Sequence, residues 1–90
     1  MTDLEKARQI INSVDTQMLE LFKERMEAVM LVAAYKQAQG LPVEDLSREE
    51  EMIASNSARL SNDALLPYYV DFLHSVMDIS KKMQYELRGE

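Results

Sequence analysis

The apolar residues Leu4, Ala7, Ile11, Val14, Met18 and Leu21 recur at steps of three and four, and the pattern carries on through Ala28 and Val32. That period belongs to one face of an α-helix. Thr2 and Glu5 stand at capping-box spacing ahead of it, so the pattern predicts a helix from about Asp3 to about Gln39, roughly 35 residues. At about 1.5 Å per residue this is a rod about 50 Å long. The roughly fifty remaining residues cannot bury a stripe of that length inside a compact monomer, so an intertwined homodimer is expected.

Gly40-Leu41-Pro42-Val43 breaks the periodicity. Beyond it, Ser47-Arg48-Glu49-Glu50 offers a second capping box, with Asp45 as the competing cap, and Met52, Ile53 and Leu60 supply a modest apolar side. A short helix over about 46 to 59 follows from this. Asn62-Asp63 reads as turn and cap before a third helix, where Pro67 is tolerated only in the first turn. Its stripe is Val70, Leu73, Val76, Met77, Met83 and Leu87, and it ends by about Leu87. No strand-like alternation, repeat or low-complexity tract interrupts this reading. The predicted fold class is all-α, with one long, one short and one medium helix in a single domain over residues 1–90.

Composition narrows the chemistry. The absence of cysteine excludes disulfides, thiolate metal sites and a cysteine nucleophile, and suits a reducing compartment. Ten Lys and Arg against 16 Asp and Glu give a net charge of −6, which argues against a nucleic-acid backbone as partner. An anionic ligand must therefore meet a local cluster of cations. The acidic N-terminus lacks the order of a signal peptide, and the apolar run Ala28 to Ala34 is too short to span a bilayer, so a cytoplasmic protein without a membrane partner is expected. The single histidine, His74, has no carboxylate at metal-ligand spacing on its stripe, which leaves neither a metal site nor Ser-His catalysis.

Four polar residues lie where core residues belong. Arg25 falls on the first stripe between Leu21 and Ala28, and Lys36 follows it three turns later on nearly the same face. Ser80 and Gln84, one turn apart, interrupt the third stripe. Singly, such residues are usually snorkelling cations or polar groups at a stripe's margin. On facing stripes they would line a polar pocket inside a helical bundle. Cations with neutral hydrogen bonders suit the gripping of carboxylates and of a polarised transition state, so the ligand should be a small anion.

The run Arg8-x-x-Ile11-x-x-x-Asp15, then Leu21-Phe22-x-Glu24-Arg25-Met26, Val32-Ala33-x-Tyr35-Lys36, Gly40-Leu41-Pro42-Val43-x-Asp45-x-x-Arg48-Glu49, and Tyr68-Tyr69-x-x-Phe72 with Ser80-Lys81-Lys82-Met83-Gln84 resembles the all-helical class of chorismate mutase over about residues 4 to 87. The resemblance implies a small helical homodimer that converts chorismate to prephenate, the committed step toward phenylalanine and tyrosine, with no cofactor. It implies that Arg8 and Arg25 hold the substrate's two carboxylates, assisted by Ser80 and supported by Arg48. Lys36 and Gln84 would hydrogen-bond the ether oxygen, while Glu49 and the backbone near Asp45 would receive the ring hydroxyl. Lys81 and Lys82 take no assigned role, although at position 81 some relatives carry an apolar pocket residue. Fused dehydratase, dehydrogenase or synthase domains have no room in these 90 residues, so a standalone mutase is expected.

Seventeen residues separate Arg8 from Arg25 on one predicted helix, which is about 25 Å, too far to clamp one small ligand. Arg8 is therefore expected in trans, from the partner of an antiparallel pair. The nearest competing activity is an isochorismate pyruvate-lyase, which shares most of these residues. A non-catalytic mutase-like module that only binds or dimerises is the alternative of another class.

Overall fold

The chain adopts its first helix from the second residue onward because Thr2 supplies the cap. Its Oγ1 accepts a hydrogen bond from the Glu5 amide at 3.1 Å and donates to the Glu5 carboxylate at 3.0 Å, which satisfies one of the free amides of the first turn. In this computed structural model, which describes residues 1–90, three helices follow: α1 Asp3–Ala38, α2 Leu46–Leu60 and α3 Leu66–Leu87. There is no strand.

The end of α1 is set by Gly40, whose φ of 68° is the left-handed conformation that glycine adopts without a Cβ penalty. Around it the Leu41 amide reaches the Lys36 carbonyl at 2.8 Å and the Gly40 amide reaches Gln37 at 3.2 Å, a Schellman closure that turns the chain toward Val43. Val43 is buried and anchors the linker. At α2 the two competing caps are resolved in favour of Asp45, whose Oδ1 accepts from the Arg48 amide at 3.1 Å. The third helix starts later than the Asn62-Asp63 pair suggests. Asn62 Oδ1 caps a turn over residues 63–65 by accepting from the Leu65 amide at 3.2 Å, and the helix proper begins at Leu66 with Pro67 in its first turn.

The helix α3 packs against both others, while α1 and α2 leave a gap between them. Its buried residues Leu73, Met77, Ser80 and Gln84 are spaced four, three and four apart, and they meet Val29 and Ala33 on α1. Every residue of α1 before Met26 is exposed. The stripe predicted there lies open within the chain, from Val14 at 44% exposure to Leu21 at 62%. The molecule extends 55 × 26 × 18 Å, with a radius of gyration of 16.4 Å where a compact domain of this length would have about 12 Å. It exposes 7092 Å², against about 5,400 Å² for a folded monomer of 10.4 kDa. No helix is long and apolar enough to cross a membrane.

Candidate active site

The gap between α1 and α2, floored by α3, holds a pocket of about 180 Å³. Each helix contributes through a local rule of its own. From α1, Arg25, Val29, Val32 and Lys36 follow one another at helical steps of four, three and four, so one face presents cation, two apolar residues and cation. From α3, Met77, Ser80, Lys81 and Gln84, at steps of three, one and three, share the facing side of that helix. The first turn of α2 and its cap bring Asp45, Arg48 and Glu49, with Met52 one turn on.

Seven of the eight residues singled out from the sequence thus line one pocket: Arg25, Lys36, Asp45, Arg48, Glu49, Ser80 and Gln84. Arg8 does not. It sits on the uncovered first half of α1, about 25 Å up the helix from Arg25.

The polar groups are held in defined ways. Arg25 Nη1 donates to Ser80 Oγ, and the Ser80 hydroxyl donates to the Val76 carbonyl at 2.8 Å. Ser80 is 7% exposed, so this chain joins α1 to α3 and fixes the guanidinium at the pocket's edge. Lys36 Nζ donates to the Val43 carbonyl at 2.9 Å. One of its three ammonium protons is thereby committed and two are left for a ligand. Gln84 is 6% exposed, and its Oε1 is buried without a partner. Asp45 spends its carboxylate on capping α2 and so positions Arg48 and Glu49 rather than the pocket's centre.

Two contributors were not assigned from the sequence. The Val43 carbonyl orients Lys36, and only the Gly40-Pro42 break hinted that the linker would fold back on α1. Lys81 has no role legible in the sequence, yet its Nζ lies 2.8 Å from Glu49 Oε1, with Glu44 at 3.6 Å and Asp78 at 3.9 Å. The hydrogen bond to Glu49 holds the Lys81 ammonium above the ordinary lysine value; partial burial opposes this, and the charges of Glu49, Glu44 and Asp78 add to it. The other oxygen, Glu49 Oε2, is buried and unpartnered.

Four cations and two carboxylates line the pocket, a net charge of +2 in a chain whose total is −6. Val29, Val32, Val43, Met52 and Met77 supply dry walls, in which charges act more strongly than in water. Such a site selects a small anion with apolar faces. It contains no nucleophile poised beside a base. Alongside it, between the middle of α1 and α3, runs an apolar groove lined by Met18, Leu21, Phe22, Phe72, Val76 and Ile79.

Residues 7–85 match the family model of chorismate mutase type II. The chain is also 37% identical, over 68 residues, to the monofunctional chorismate mutase of Enterobacter agglomerans. That similarity covers 74% of this chain and 38% of the relative's length. No solved structure gives a significant match.

Proposed function

Since the chain belongs to the type II chorismate mutase family, we propose that it catalyses the rearrangement of chorismate to prephenate, as a homodimer with two shared sites. The observation that carries this reading is the convergence of Arg25, Lys36, Arg48, Ser80 and Gln84 from three helices on one pocket of positive charge. In this Claisen rearrangement the ether C–O bond breaks as a new C–C bond forms, the electrons cycle within the substrate, and no external proton, nucleophile or cofactor is consumed. The protein has two tasks: to select the folded conformer and to stabilise charge on the ether oxygen.

Arg25, steadied by Ser80, grips one carboxylate, and Arg48 supports that side of the ligand. Lys36 and the amide of Gln84 donate to the ether oxygen as it gains negative charge. A single preorganised donor of this kind is typically worth about 3–4 kcal/mol of barrier. Gln84 serves without titrating, since an amide is neutral at every ordinary pH. Glu49 Oε2 accepts the ring hydroxyl, with the α2 backbone beside Asp45.

The second carboxylate needs Arg8, and only another copy can supply it. The chain exposes about 1,700 Å² beyond what a folded monomer of its mass should, and covering that on two chains buries about 3,400 Å², within the range of obligate homodimers. The excess lies along α1, whose stripe extends beyond its own α3. Antiparallel pairing of two α1 helices about a midpoint near residue 20 or 21 brings Arg8 level with the segment between Arg25 and Lys36 of the other chain. The pocket's volume, below the about 300–1,000 Å³ of complete small-molecule sites, agrees with a site one wall short.

Incubation with chorismate, with the product identified, tests this directly. Prephenate is expected. Release of pyruvate from isochorismate without chorismate turnover would replace the mutase by a lyase. A folded dimer inert toward both substrates would make the chain a binding module.

A further inference from the structure

Lys81 stands on the rim of the site, on α3, one residue after Ser80 and three before Gln84. Its side chain is 24% exposed and that of Glu49 only 18%, so the 2.8 Å contact between them is a half-sheltered pair linking α3 to the first turn of α2. Three carboxylate oxygens, from Glu49, Glu44 and Asp78, lie within 4 Å of the ammonium. Only Glu49 is within hydrogen-bond reach, and Glu44 and Asp78 add their charge to the hold on the ammonium. The Glu49 carboxylate is divided instead: Oε1 faces Lys81, and Oε2 is buried with no partner.

A bare carboxylate in this wall would repel an anionic ligand. We propose that Lys81 is a positioning residue, which locks the rotamer of Glu49 and cancels its charge so that Oε2 can accept a hydroxyl hydrogen from a dianionic ligand. The inference rests on the mutase reading and deepens it, because it accounts for how a site built to bind two carboxylates can keep a glutamate in its wall. Lys81 acts through Glu49 and touches no substrate. The charged groups around this pair are Asp78 from α3 and Glu44 from the linker, both beside Lys81, with Asp45, Arg48, Arg25 and Lys36 sharing the pocket lining with Glu49. Lys81 is the cation bonded to it.

The test is a steady-state cycle with chorismate as the probe, using wild type, Lys81→Met, Lys81→Arg, Glu49→Gln and the double variant Lys81→Met/Glu49→Gln. Lys81→Met keeps the length and loses the charge. It should raise KM about five- to tenfold near pH 7.5 with kcat within about twofold, the worth of a half-exposed charged hydrogen bond. Lys81→Arg should restore KM to within about twofold, since it keeps the charge and the donor. In the Glu49→Gln background, where no charge needs cancelling, the further change to Lys81→Met should alter KM by less than about twofold.

Equal losses in both backgrounds would overturn the proposal, because Lys81 would then contact the ligand itself or merely brace α2 on α3. An unchanged KM in Lys81→Met would overturn it as well. A wild-type protein with no chorismate turnover would remove the mutase reading and this inference with it, an outcome visible before any variant is measured.

Discussion

Up to Arg25, every residue of α1 is exposed, whereas from Met26 onward the same helix packs Val29 and Ala33 against α3 and lends Lys36 to the pocket. Both halves carry apolar residues at helical spacing. What differs is cover. The 36 residues of α1 make a rod of about 54 Å and the 22 of α3 one of about 33 Å, so α3 cannot shield both halves. The difference teaches that an amphipathic period reports a need for burial without saying which chain meets it. It also separates the two arginines: Arg25, at the boundary, is bonded to Ser80 within the chain, whereas Arg8 lies well inside the open half.

The harshest way to break this contrast is a charge in the open half. Leu21→Glu or Val14→Glu should abolish dimer and fold together, because either places an unpaired carboxylate in the proposed shared core at a cost of several kcal/mol. Light scattering with circular dichroism reads both losses. A stable, fully helical monomer of Leu21→Glu would show that the open half needs no partner.

A subtler test leaves the fold intact. Arg8→Ala and Arg25→Ala homodimers should each lose activity by orders of magnitude, since each removes one carboxylate grip from both sites. After unfolding and refolding the two together, about half of the dimers are mixed and each has one complete site, so about a quarter of wild-type activity should return. No recovery, with mixed dimers confirmed by mass, would place Arg8 outside the partner's site.

Within the covered half, Gln84→Glu should confine activity to acid pH, whereas wild type should change little between about pH 6 and 8. The sign follows from protonation: only the neutral carboxyl of the variant can donate, and burial at this position disfavours its ionised form. Equal activity of the variant at pH 8 would take Gln84 away from the ether oxygen.

The smallest effects separate the two caps. Asp45→Ala should cost about 1 kcal/mol of stability and also reduce activity, because it loosens the turn that carries Arg48 and Glu49. Thr2→Ala, at the far end of the open half, should cost about 1 kcal/mol or less and leave turnover near wild type. Chemical denaturation alongside kinetics distinguishes them.

Much of this architecture could be read from local pattern. Helical boundaries follow from caps and breakers that act within a few residues, which is why α1 and α2 fall close to their expected limits and only the start of α3 shifts, from the Asn62-Asp63 pair to Leu66. The polar interruptions Arg25, Lys36, Ser80 and Gln84 were visible for the same reason, since a helix's period tells which residues share a face. Partnerships across helices were not. The pairing of Arg25 with Ser80, separated by 55 residues, and the hold of the Val43 carbonyl on Lys36 depend on how the helices and the linker lie together. Lys81 is the clearest case. On the sequence it is one of two adjacent lysines on a helix, and its attachment to Glu49 exists only because α3 sets it against the first turn of α2. Periodicity is a property of neighbours along the chain and therefore belongs to the sequence; a charge finds its counter-charge through space, and packing alone decides which one that is.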